Sequence, residues 1–197
     1  MMTMDPYAEF RVKTSRIPLR TPTGDDIFVE ITPGTSFGAE HSTTRLCVRG
    51  VEEIFRTRHI NKVLDFGCGS GVLSLCAAAL GAKEVLGIDI DPIAVKESMF
   101  NSEINKLNSK MRLQQASIEN IDGKFDLIVA NIVTYDLLKY LEVIKSVLDK
   151  NGILLVSGIS ELNKEMAISG FCSAGFRLHK EFFEGGWVAI WFDYISQ

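Results

Sequence analysis

Cysteine is scarce in this chain and badly spaced for metal chemistry. The four thiols, Cys47, Cys68, Cys76 and Cys172, form no C-x-x-C pair and have no histidine at ligand spacing. That argues against a zinc site and for reduced thiols in a cytoplasmic protein. No apolar run reaches the ~18 residues a membrane span needs. Positive charge is not in excess either. The 21 Lys and Arg face 25 Asp and Glu, a net charge of −4, so no global footprint for nucleic acid exists. The opening Met1-Met2-Thr3-Met4-Asp5-Pro6 lacks the basic-then-apolar order of a secretory signal. Internal repeats and low-complexity tracts are missing. What remains is the composition of a globular domain, 46% hydrophobic and 23% charged over 197 residues, long enough for one full core.

The informative stretch is V-L-D-F-G-C-G-S-G, Val63 to Gly71. An apolar run ends in Asp65, and glycines follow at every second position: Gly67, Gly69 and Gly71. The helix-forming run Val72 to Leu80 comes next. Strand, glycine turn and helix open a nucleotide-binding α/β unit. Glycine lets the backbone turn sharply and lets a ligand approach, because no Cβ intervenes. A dinucleotide fold uses G-x-G-x-x-G. The G-x-G-x-G pattern here, with an acid two residues before it, resembles the first motif of class I S-adenosylmethionine-dependent methyltransferases. The bland alternative at this point is any tight βα turn.

The next apolar run, Glu84 to Ile88, ends in Asp89, about 20 residues after the glycines, where a ribose-binding acid belongs. Ile90 would lie flat against an adenine. Asp91-Pro92 reads as a helix start, with Asp91 as N-cap and Pro92 at the first helical position. The helix runs to about Asn105. Met111 to Ala116 alternates as a strand. Ser117, just beyond, is read either as a contact at the adenine edge or as a capping serine. Phe125 to Asn131 is a buried parallel strand. Asn131 at its carboxyl end is placed where ligands lie in open α/β sheets.

Leu137, Leu138, Leu141, Ile144, Val147 and Leu148 make one apolar helix face, with Asn151-Gly152 as its stop. Ile153 to Ser157 is a further strand, and a helix runs from about Glu161 to Ala174. Phe176–Phe183 and Trp187–Phe192 flank Gly185-Gly186 as a hairpin. Trp187, Trp191 and Phe192 are read as strand packing. Upstream, Arg16–Arg20 and Ile27–Ile31 flank a turn. Two such strands must pack on the main domain to be stable. Residues 1–35 are therefore assigned to an amino-terminal extension and 36–197 to the main domain. Between them, Pro33 to Thr44 is read as a mobile loop able to cover a ligand or as a helix start, with Ser42 or Thr43 as N-cap. The helix that follows is placed from Arg45 to about Arg58.

Taken in order, the motifs P-G-x-x-F-G, T-T-R-L, D-F-G-C-G-S-G, G-I-D-I-D-P, V-A-N-I and a late G-x-W are similar to the PrmA type of ribosomal protein methyltransferases, from about Ile31 to Phe192. The resemblance implies a Rossmann-like α/β fold: a mainly parallel seven-stranded sheet with a terminal antiparallel hairpin and helices on both faces. It implies S-adenosylmethionine as cofactor, left as S-adenosylhomocysteine, contacted by Thr44, Gly67, Asp89 and Asn131. Asn131 stands where related amine methyltransferases carry N-P-P-Y, whose Asn oxygen accepts hydrogens from the attacking nitrogen. Ile132-Val133-Thr134 replace Pro-Pro-Tyr. The resemblance makes a protein amino group the acceptor, with a small amine as alternative.

Two departures from the family pattern stand out. The family loop F-G-T-G-x-H-x-T-T is here F-G-A-E-H-S-T-T, one residue shorter, carrying Phe37, Glu40 and His41, with Glu40 able to face a cationic substrate. Family members also carry an amino-terminal substrate-binding domain, whereas about 35 residues precede the loop here. Two other classes are weighed against methyl transfer. A nicotinamide oxidoreductase is opposed by the glycine spacing, Asp65 and the hairpin. A cofactor-binding module without turnover stays open, since fold alone does not give function.

Overall fold

Short apolar runs alternating with helix-forming stretches build a main mixed sheet covered on both faces. The computed structural model describes residues 14–32 and 40–194. Its elements begin with β1 (Ser15–Arg20), β2 (Asp26–Ile31), α1 (Ser42–Thr57), β3 (Lys62–Phe66), α2 (Val72–Leu80), β4 (Glu84–Asp89), α3 (Pro92–Ile104) and β5 (Met111–Gln115). They continue with β6 (Phe125–Asn131), α4 (Thr134–Lys139), α5 (Leu141–Val147), β7 (Leu148–Ser160), α6 (Lys164–Ser173), β8 (Phe176–Glu184) and β9 (Trp187–Tyr194).

The seven-stranded sheet has the order β5-β4-β3-β6-β7-β9-β8. Strands β3 to β7 are parallel, and β9 enters antiparallel between β7 and β8. The chain leaves β3 toward β4 and later returns to β6 on its other side. The crevice between the carboxyl ends of β3 and β6 is thus the switch point where such sheets take ligands.

Strand β6 shows how the layers are made. Leu127 and Val129 point into one core, with α1 and α2; Ile128 and Ala130 point into the other, with α4, α5 and α6. All four are fully buried. The two-residue period of a strand requires this division. Each large side chain so buried contributes roughly 1.5–3 kcal/mol.

β1 and β2 form a separate antiparallel pair. Leu19, Val29 and Ile31 join the core beneath α1 and α2. The Arg20 N–H donates to Glu52 of α1 at 2.6 Å. Asn105, the C-cap of α3, accepts from the Glu30 N–H at 2.7 Å and donates to the Glu30 carbonyl at 2.6 Å.

Three boundaries in the second half of the chain differ from the sequence reading. The face from Leu137 to Val147 is core, but two short helices carry it, broken at Tyr140 (φ −95°, ψ 11°). Leu148 already pairs with Phe125, and Asn151-Gly152 is a bend inside β7, not a helix stop. Asn151 takes a φ of +61°, which asparagine tolerates. The stretch from Glu161 opens as a 3-10 turn, and α6 follows from Lys164. Among the described residues, no helix is long and apolar enough to cross a membrane.

Candidate functional site

The glycine turn is built on left-handed backbone that favours glycine. Gly67, Gly69 and Gly71 have φ of +76°, +53° and +85°. A Cβ at Gly67 would stand 2.7 Å from Ile132, and one at Gly71 would stand 2.8 Å from Ser98 Cβ. The Gly67 and Cys68 N–H groups both donate to the Ile88 carbonyl at 2.9 Å, which docks the turn on β4.

Asp89, at the end of β4, is oriented by two backbone donors. Its Oδ2 accepts from the Gly69 N–H at 2.9 Å and its Oδ1 from the Asp91 N–H at 3.0 Å. Asp91 caps α3 as expected, accepting from the Ile93 N–H at 2.8 Å. Ile90 is 74% exposed, an uncovered apolar side chain at the mouth. A cleft of about 560 Å³ runs along these residues and gathers Gly67, Gly69, Asp89, Ile90, Ser117 and Ile132. That volume suits a small-molecule ligand. Ser117 lines the cleft with its hydroxyl donating to Glu119 at 3.0 Å; it makes no side-chain cap bond.

A second group of predicted residues lies around Asn131. The Asn131 amide donates to the Thr44 hydroxyl at 3.4 Å, joining β6 to α1. Its carbonyl oxygen has no donor among the described residues. Asp65 is buried beneath the turn and is not among the residues lining the 560 Å³ cleft. Its Oδ2 accepts from the Ser74 N–H at 2.9 Å and the Ser74 hydroxyl at 2.6 Å. Its Oδ1 is sealed from solvent without a partner. Burial pushes the Asp65 carboxyl up to about 6, against the two Ser74 hydrogen bonds and with help from the negative charge of Asp89.

At the start of α1 the cap is His41, correcting the expectation of Ser42 or Thr43; helix α1 itself begins at Ser42. The ring Nδ1 accepts from the Thr43 N–H at 3.3 Å, and the ring stands edge-on to Trp187, centroids 5.5 Å apart. Trp191 and Phe192 are buried strand packing as expected, while Trp187 is only partly buried. The exposed Glu40 gives its carbonyl to the Arg45 guanidinium. Phe37, and with it most of the expected loop, lies outside the described residues.

The sequence reading missed Gly158. Its φ is +82°, and a Cβ there would come 2.1 Å from the Ile132 carbonyl oxygen. The β7–β9 register shifts between Val156 and Ile159, so this glycine lies in the irregular stretch. The signal available was the glycine in S-G-I-S, within an otherwise strand-like run.

The sequence model of the family described as ribosomal protein L11 methyltransferase (PrmA) matches residues 9–194. This chain belongs to that family. Relatives named ribosomal protein L11 methyltransferase from Clostridium perfringens and Halalkalibacterium halodurans are 36% and 38% identical over 170 and 168 residues. The matches cover 86% and 84% of this chain but 54% and 53% of the relatives. The chain thus spans about half the length of the curated family members it matches. A crystal structure of a ribosomal protein L11 methylase from Lactobacillus delbrueckii subsp. bulgaricus aligns at TM-score 0.77 and 32% identity, covering 84% of both chains. The T. thermophilus 16S rRNA N2 G1207 methyltransferase aligns at TM-score 0.70 and 20% identity, over 93% of this chain and 51% of that one, and shares the fold. The fold is the class I methyltransferase fold that the motifs implied.

Proposed function

We propose that this chain is a S-adenosylmethionine-dependent methyltransferase acting on an amino group of a protein, with a ribosomal protein as the first acceptor to try. The observation that carries the reading is the cleft at the switch point. A glycine-rich turn and an acid locked by the Gly69 and Asp91 amides flank it, and Asn131 lies next to it. The residues present fit the cofactor. Asp89 offers its outer lone pairs to two ribose hydroxyls, Ile90 offers an apolar wall to adenine, and the turn leaves room for close approach. Asp65 places negative charge beneath the turn, which would favour a cationic group of the cofactor near it. When bound, the cofactor supplies a methylsulfonium.

The chain's own task is to position and desolvate the acceptor. A free lysine has a pKa of about 10.4 and attacks only when neutral. The Asn131 oxygen accepts an N–H of the acceptor and so orients its lone pair. Burial in the mouth favours the uncharged amine. Ribosomal protein is the first acceptor to test because the relatives carry that name. Calorimetric titration with S-adenosylmethionine and separately with NAD tests the reading. Binding of the first alone, followed by labelled-methyl transfer to ribosomal protein, supports it. Binding of NAD, or of neither, overturns it. Binding without transfer to any protein or small amine would make the chain a cofactor-holding module.

Asp89→Ala is expected to weaken S-adenosylmethionine binding about 10- to 100-fold, roughly 1.4–2.8 kcal/mol. Calorimetry reads it, and unchanged affinity would mean that another acid holds the ribose. Asp65 gives a pH dependence. Its folded-state pKa of about 6 lies above its ordinary 3.8, so the folded state retains the proton that the unfolded state has lost. The stability from the neutral form is complete below about 3.8 and is lost as pH rises through about 6, roughly 3 kcal/mol in all. Cofactor affinity runs the other way. It strengthens as pH rises through about 6, because the ionised carboxylate attracts that cationic group. Asp65→Asn is expected to flatten both curves over that window, read by melting temperature and by calorimetry. A pH dependence that survives the substitution belongs to another group.

A further inference from the structure

Helix α3 buries a polar stripe. Glu97, Ser98, Asn101 and Ser102 are all almost without solvent contact. Part of this stripe meets the glycine turn: Ser98 packs directly against Gly71. One turn further on, Asn101 reaches two segments at once. Its Oδ1 accepts from the Thr32 N–H at 2.9 Å, and its Nδ2 donates to the Ser70 carbonyl at 2.9 Å and to the Thr32 carbonyl at 3.4 Å. One turn beyond that, Asn105 clasps the N–H and carbonyl of Glu30 and also donates to the Asn101 carbonyl at 2.7 Å.

The spacing explains the arrangement. Residues four apart share a helix face. Residues two apart in a strand send their backbone groups to the same edge. Glu30 pairs across from Arg16 on one side of β2. On the other side the two asparagine amides satisfy Glu30 and Thr32 where a third strand otherwise would. Asn105 only docks the strand pair. Asn101 docks its exit and also holds Ser70, in the middle of the glycine turn.

We infer that Asn101 is a positioning residue for the cofactor, anchoring the Ser70 carbonyl and so the shape of the glycine turn to the amino-terminal strand pair. This rests on the cofactor reading given above. The turn carries three glycines, whose backbone freedom must be restrained from outside for the loop to hold one shape. Ser70 is 3% exposed, so no water replaces the lost donor at its carbonyl without rearrangement. The strand pair therefore does more than cover the core. Through one amide it sets the loop that approaches the ligand.

The test compares Asn101→Ala, Asn101→Asp and Asn105→Ala in the full chain. Asn101→Asp keeps an acceptor for the Thr32 N–H and removes the donor to Ser70. Two readouts are taken: hydrogen–deuterium exchange over residues 66–76 without ligand, and calorimetric affinity for S-adenosylmethionine. Both Asn101 variants are expected to speed exchange in the turn and to weaken affinity by about tenfold or more. Asn105→Ala is expected to lower the melting temperature yet leave both readouts within about threefold. Should the alanine variant not fold, Asn101→Asp carries the comparison. Equal changes in the Asn105 and Asn101 variants, unchanged exchange in the turn, or failure of both Asn101 variants to fold would overturn the inference and leave Asn101 a structural residue. No S-adenosylmethionine binding by the unmodified chain would overturn the cofactor reading instead, while the exchange comparison still judges the anchor.

Discussion

Asn131→Ala is expected to slow methyl transfer by about a hundredfold or more while S-adenosylmethionine affinity stays within about threefold. The division follows from the position of the side chain. Asn131 ends β6, paired in register with Ser157 of β7, so its backbone is fixed on that side. Its amide donates to the buried Thr44 hydroxyl, which leaves the carbonyl oxygen as the acceptor end. An acceptor aimed at the attacking nitrogen stabilises the aligned, neutral amine and does little for the cofactor's adenosine portion. A hundredfold loss corresponds to about 2.7 kcal/mol, the size of one well-placed polar contact in a desolvated site. Single-turnover rates at saturating cofactor separate transfer from binding. Thr44→Val, which removes the partner of the amide but keeps the oxygen, is expected to fall between the two. Equal losses of binding and rate in Asn131→Ala would sink this assignment.

Gly158→Ala is expected to be the most damaging substitution by alanine among the glycines whose surroundings are described. Two costs combine there. A φ of +82° is strained for alanine, at about 1 kcal/mol or more. The added carbon would also sit 2.1 Å from the Ile132 oxygen and 2.6 Å from its carbonyl carbon. Both obstacles are backbone, so no rotamer change relieves them. The sum is about 3 kcal/mol or more, a melting-temperature drop of about 10 °C for a domain of this size. Because Ile132 lines the cleft and follows Asn131, transfer is expected to slow even at temperatures where the variant is folded. Gly186→Ala is the control. Its φ is +81° with nothing within 4 Å, so it carries the strain alone. Similar melting temperatures for the two variants would show that the collision with Ile132 is relieved elsewhere.

The parts that the sequence made legible share one property: their signal is local. The glycine turn, the Asp91-Pro92 helix start and the period-two pattern of β6 are each written in fewer than about ten consecutive residues. The parts it concealed depend on pairings across the fold. Histidine is an uncommon helix cap, and His41 works as one partly because Trp187, nearly 150 residues later, stands against its ring. Asn151-Gly152 carries a helix-stop signal, yet the pairing of Leu148 with Phe125 makes it a bend in a strand. The buried Asn101 of α3 looks like part of the solvated side of a helix until the hairpin and the glycine turn are folded against it. Within the candidate site, Asp89, Ile90 and Ser117 come together as read, because all follow strand ends on one side of the sheet. Asp65 was read as a cofactor contact, but it is secluded beneath the turn and absent from the cleft lining, which was not visible from spacing.

The late entry of β9 bears on how the protein is made. Residues 188–192 are fully or almost fully buried, and they stand between β7 and β8, not at the margin. A growing chain can therefore pair β3 to β7 and add the helices, yet an inner position stays vacant until nearly all the described residues have been synthesised. Until then β7 offers an unsatisfied apolar edge to any neighbouring nascent polypeptide. A ribosome that stalls before Trp187 would release a product lacking an inner strand, open along β7 and prone to clump.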